Sequence, residues 1–211
     1  MSDIKTNDLP RIQELARFSM FADNGTGSSR ARLAWSIRDA NPRISVYTND
    51  PNDKTDYGII SAPLNPETFF MFVSLFEKAC LSNAPVGYKI ENYRGVYEND
   101  KLTDKKVHVS DLVFGKDNEG IMYLSVVANN RPKVKFVFTL SDYHKIVRSD
   151  GESISNSEMS VLLARSTINA LRDIYIGLTN GFRVNKNAPA TMNKSNGQSS
   201  TGNVKFDDMP F

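Results

Sequence analysis

Residues 65–82 read NPETFFMFVSLFEKACLS, and the reading of this stretch decides the fold. Asn65 suits a helix N-cap and Pro66 the first helical position, where a missing N–H costs nothing. Beyond them Phe69, Phe70, Phe72, Val73, Leu75, Phe76, Ala79 and Leu81 cover more than one stripe of the helix. A helix apolar over so much of its circumference is covered on more than one side. The spacing therefore predicts a helix lying between a sheet and either a second layer or another subunit, and homo-oligomer assembly is expected.

Working outward, the period on both sides changes to two. In RARLAWSIR (30–38), Leu33, Trp35 and Ile37 share one face, and Arg30, Arg32, Ala34, Ser36 and Arg38 share the other. Trp35 is in phase with the apolar set and is expected in the core. DANP (39–42) supplies a turn, and in RISVYT (43–48) Ile44 and Val46 alternate with Arg43, Ser45 and Tyr47. After the polar loop NDPNDKTD, YGIISAPL (57–64) reads as another strand. Past the helix come four strand-like runs, YKIENYR (88–94), KKVHVSDLVFGK (105–116), GIMYLSVVA (120–128) and KVKFVFTL (133–140). GKDNEG and NNRP are their hairpin connections. A second long helix starts near SNSE (155–158), where Ser155 and Glu158 have capping-box spacing, and Gly181 can close it. The order is strands, helix, strands, helix: an α+β chain of antiparallel sheets with two long helices. An OB-fold barrel with extensions, threaded through residues 30–116, is the alternative.

The two ends differ from this middle. LPRIQELARFSMF (9–21) predicts a short helix with Leu9, Ile12, Leu15 and Ala16 on one side, and ADNGTGSS (22–29) a loop without the lysine of a phosphate-binding loop. Residues 183–206 are rich in Asn, Ser, Gly and Thr, cannot bury enough surface to offset ordering entropy, and read as a disordered linker. The expected organisation is an N-terminal segment over 1–29, one domain over 30–182, the linker, and a tip over 207–211.

Hydrophobic residues make up 40% of the 211, enough for a real core, and the net charge of +2 does not by itself argue for an anionic partner. The single cysteine, Cys80, excludes an internal disulfide and reads as a buried inert thiol. The start MSDIKTNDLP lacks the apolar core of a signal peptide and no apolar stretch reaches spanning length, so no membrane partner is expected. The expected setting is cytoplasmic, the host cytoplasm for a phage-encoded chain.

The outward faces of the strands carry the functional signal. The first hairpin shows Arg30, Arg32, Arg38, Arg43 and Tyr47. Later strands add Lys89, Tyr93 and Arg94, then Lys106, His108, Phe114 and Lys116, then Tyr123, Lys133 and Lys135. Arginine and lysine meet phosphates and release counterions, while exposed rings stack on unpaired bases. A duplex hides its base faces, so such a surface selects single strands. Arg32, Arg38, Arg43, Lys106, Lys133 and Lys135 are expected on phosphate, and Tyr47, Tyr93, Phe114 and Tyr123 on bases. His108 and His144 have no ligand spacing and no adjacent nucleophile; Asp39, Asp50, Asp53 and Asp56 read as turn formers. No catalytic constellation, metal site or cofactor motif is expected.

The last residues, Asp207, Asp208, Met209, Pro210 and Phe211, follow that polar linker. This ending resembles the acidic tip of bacterial and phage single-stranded DNA-binding proteins: aspartates, an aliphatic residue, proline and a terminal phenylalanine. Its acidic run is shorter than the usual bacterial one. The resemblance implies that the tip docks replication, repair, recombination or transcription proteins, the ring entering an apolar pocket while the carboxylates meet cations, and that it competes with DNA for the basic face. The element order looks like the Whirly and PC4-like class of single-strand binders. The resulting expectation is a non-enzymatic protein that coats single-stranded DNA and recruits partners through its tip. An adaptor without DNA affinity, a nuclease and a transcription cofactor on melted promoters are the rivals.

Overall fold

The computed structural model describes residues 12–15, 18–22, 30–38, 41–141 and 143–179. The linker and the tip lie outside them. Alternation in the first third becomes a sheet of β1 (Ile12–Glu14), β2 (Met20–Phe21), β3 (Arg32–Arg38), β4 (Asn41–Tyr47) and β5 (Ile59–Pro63). All neighbours are antiparallel, in the order β1-β3-β4-β5 with β2 also pairing with β3. Leu33, Trp35, Ile44, Val46, Ile60 and Ala62 point into the core, as the period of two requires.

The expected N-terminal helix is a correction: Ile12–Glu14 is a strand. It pairs with Ser36–Arg38, and the Leu15 amide donates to the Trp35 carbonyl at 2.8 Å. A short helix is marginal because its nucleus is costly, whereas the open edge of β3 offers ready backbone partners. Ile12–Glu14 and Met20–Phe21 are thus part of the sheet.

Helix α1 (Pro66–Leu81) begins as expected, with Asn65 Oδ1 accepting from the Thr68 amide at 2.7 Å. Its buried residues Phe69, Phe72, Val73, Phe76, Ala79 and Cys80 face both sheets, and α2 (Asn156–Thr179) covers it from the other side. Tyr175 of α2 lies 4.9 Å from Phe69, ring to ring. The second layer is therefore within the chain. Ser155 Oγ accepts from the Glu158 amide at 3.1 Å, half of the expected capping box. The other half is absent because the Glu158 carboxylate accepts from Arg148 instead.

The second sheet is β6 (Val86–Glu98), β7 (Lys101–Lys116), β8 (Met122–Val127) and β9 (Phe136–Val137), in that order and antiparallel. Two of the expected strand runs are the arms of one hairpin, longer than anticipated, turning at Asn99 and Asp100 with φ of 51° and 60°. Two consecutive left-handed residues are what a tight two-residue hairpin needs, and Asn and Asp tolerate them best. β8 pairs with β7 only over Asp111–Lys116, so Tyr93–Val109 projects as a two-stranded ribbon. KVKFVFTL contributes only Phe136 and Val137 as strand. Neither sheet closes into a barrel. Among the described residues no helix is long and apolar enough to cross a membrane.

Candidate nucleic-acid interface

Pairing register sets which outward side chains meet. On the first sheet, Arg32, Tyr47 and Ile59 form one cross-strand row, and Ser36, Arg43 and Pro63 another. The Arg32 guanidinium lies 4.3 Å from the Tyr47 ring centroid, a cation–π stack that already covers one face of that ring. Arg30 and Arg38 are exposed at either end of this face.

The ribbon of the second sheet folds beside that face. Ser110 Oγ donates to the Ser61 carbonyl at 2.7 Å, fixing the ribbon's base to β5. Between them opens a cleft of about 1220 Å³. Arg43, Ile59, Ser61 and Pro63 line it from the sheet, and Tyr93, Arg94, Tyr97 and Lys106 from the ribbon. Asp56 and Asp104 also border it, so its charge is mixed with a cationic excess. Four residues expected at the site therefore meet: Arg43, Tyr93, Arg94 and Lys106. Tyr97 is an addition. It lay in a stretch unassigned to any strand, and only the long ribbon gives it a place.

A second groove, of about 680 Å³, runs over the outer face of the second sheet. Val113, Tyr123 and Val127 form its floor, and Lys133 and Lys135 its rim. Lys135 Nζ lies 5.0 Å from the Tyr123 ring centroid and 2.7 Å from Asp117. Burial raises the Asp117 carboxyl, but Lys135 and the amides of Ile121 and Glu119 outweigh it and hold the pKa below its ordinary value. The neighbouring residues Val127 and Ala128 line one groove each.

Between the grooves the outer face carries a tied set of groups. Lys89 meets Glu91 at 2.6 Å, and the Tyr93 hydroxyl donates to the same carboxylate at 2.7 Å. The bond from Lys89 holds the Glu91 pKa low, and the bond to Glu91 holds the Tyr93 phenol high. His108 sits 2.7 Å from Asp111, with its ring 5.5 Å from that of Tyr93. Lys89 is thus a paired cation.

One expected site residue, Phe114, is corrected, and a second, Lys116, has its charge engaged elsewhere. Phe114 is fully buried, 4.8 Å from the Phe72 ring and 5.6 Å from Tyr88, because its register pairs it with the inward residues Tyr88 and Leu124. Lys116 shares that inward parity, and its Nζ donates to the carbonyls of Cys80 at 3.0 Å and Ser82 at 2.6 Å, at the end of α1. It neutralises the negative end of a helix dipole, and the half-buried side chain also borders the groove on the second sheet. The remaining expected residues occupy three places, the Arg32–Tyr47 row with Arg30 and Arg38 at its ends, the cleft and the groove, except Lys89, which is tied to Glu91 between the grooves.

The wall of the cleft is held from beneath. Arg131, in the β8–β9 connection, meets both carboxylate oxygens of Asp53 at 3.1 and 2.7 Å. It also donates to the carbonyls of Ile59 and Thr55, each at 2.8 Å. Thr48 adds a bond to Asp53 at 2.8 Å and one to the Gly58 carbonyl at 3.1 Å. Arg131 first, with help from Thr48, lowers the Asp53 pKa against the opposing effect of burial. Asp53, read as a turn former, is a link between the two sheets. Among the described residues no cluster of three His, Cys, Asp or Glu side chains could hold a metal ion. No family model, curated protein or solved structure matches this chain.

Proposed function

We propose that the protein binds single-stranded DNA in the cleft between the first sheet and the ribbon, continuing into the groove on the second sheet. The observation that carries this reading is the meeting of Arg43, Arg94 and Lys106 with Tyr93 and Tyr97 in one open cleft. Cations there meet phosphates, and the tyrosines offer faces to unpaired bases. Lys133, Lys135 and Tyr123 repeat the combination in the groove. A Whirly-like arrangement is part of this reading, and two antiparallel sheets that do not close into a barrel are consistent with it. The tip, Asp207 to Phe211, recruits replication, recombination or transcription proteins.

The test is a titration of labelled single-stranded oligonucleotide against a duplex of the same length. Five phosphates met by Arg43, Arg94, Lys106, Lys133 and Lys135 would give a log–log salt slope of about −3.5, at roughly −0.7 each. The double variant R94E/K106E changes exposed ribbon positions and should weaken binding while flattening the slope by at least about 1.4. Equal affinity for duplex and single strand, or a flat titration, refutes the proposal. Deleting Met209–Phe211 should abolish partner docking and leave DNA affinity equal or higher.

A further inference from the structure

We infer that Tyr57 is an additional base-stacking residue, presented at the rim of the cleft by a strained loop; the inference rests on the single-strand reading above. Tyr57 is 97% exposed. Its chain neighbour Asp56 and nearby Ile59 both line the cleft. An amphipathic ring usually hides its faces against the protein, and this one offers both to solvent.

The backbone makes the exposure harder to dismiss as a loop accident. Asp56, Tyr57 and Gly58 have φ of 46°, 56° and 74°, three left-handed residues in succession. Glycine adopts that conformation without penalty, Asn and Asp at modest cost, and a tyrosine at a larger one. The conformation is over-determined from below: Arg131 holds the Thr55 and Ile59 carbonyls on either side of Tyr57, and Thr48 holds that of Gly58. Strain locked by such a frame is characteristic of residues aimed at a ligand. Turn formation alone would be served better by glycine, so the ring is the part that needs another explanation. Beside cations that meet phosphate, the matching ligand is a planar unpaired base.

The experiment compares wild type with Y57G, Y57F and, as a control, Y143G. Tyr143 is 94% exposed, but its described neighbour His144 does not line the cleft. Y57G should melt no lower than wild type, because glycine relieves the left-handed backbone. It should bind single-stranded DNA about 5- to 140-fold more weakly, the loss of one stacked base, with the salt slope unchanged. Y57F should bind within about twofold of wild type, since stacking uses the ring and not the hydroxyl. Y143G should bind like wild type. If wild type binds and Y57G binds equally well, or Y57F fails to restore affinity, the inference falls while the single-strand reading stands. A lower melting temperature together with a changed slope in Y57G assigns the ring a structural role and also overturns it. If wild type does not bind single strands, both fall.

Discussion

Replacing Arg131 by alanine should be the most costly single change to the cleft that leaves its lining tyrosines in place. The Arg131 and Asp53 side chains are 8% and 3% exposed, and the guanidinium makes four bonds, two to the carboxylate and two to carbonyls. Removing one partner of a covered ion pair costs about 3–5 kcal/mol, because the other charge loses its compensation. The Asp53 carboxylate keeps its bond from Thr48, so the lower value, about 3 kcal/mol, is expected. For a chain of this size that corresponds to a fall in Tm of roughly 6–12 °C. Urea denaturation at pH 7, with the midpoint and slope both fitted, gives the number directly. The pH dependence supplies a second check. The Asp53 pKa is lowered in the folded state from an ordinary 3.8, so its contribution is complete above that value and disappears as pH falls through the folded value. The gap between wild type and R131A should therefore narrow below about pH 3.8. A loss under about 1 kcal/mol at pH 7, or a gap that widens on acidification, would refute the account of this link.

Three further outcomes concern buried or engaged side chains. F114A should cost about 3–5 kcal/mol in urea denaturation, because a ring packed between Phe72, Phe76 and Tyr88 leaves a cavity. K116M, which keeps most of the apolar stem and removes the charge at the end of α1, should cost about 1–2 kcal/mol by the same assay, while DNA affinity changes little. The Cys80 thiol is pushed up to about 11 by burial, so it should stay unreactive to a thiol reagent at pH 8 until the protein is unfolded.

Much of the architecture was legible because it is written in local periods. Asn65 and Pro66 placed the start of α1, and the alternation around Trp35 placed the inward face of β3, with Trp35 itself buried as expected. The turn at Asp117 was also readable: its carboxylate accepts from the amides of Glu119 and Ile121, at 3.0 and 2.9 Å. Ile12–Glu14 was misread because a helical spacing of apolar residues says nothing about an open strand edge waiting elsewhere in the chain. Phe114 was misread for a related reason. Alternation shows that it shares a face with Lys116, but it does not say which face of that strand is turned to the helices.

Order along the chain determined most of the strands and both long helices, where α1 begins, and that the outward positions would be rich in arginine, lysine and tyrosine. Only the tertiary structure decided that Arg43 would meet Arg94 and Lys106 across a cleft, and that Asp53 would brace its wall through Arg131. The physical reason is range. Periodicity and capping depend on neighbours within a few residues, whereas a site depends on register between strands some fifty positions apart and on how far one hairpin extends past its sheet.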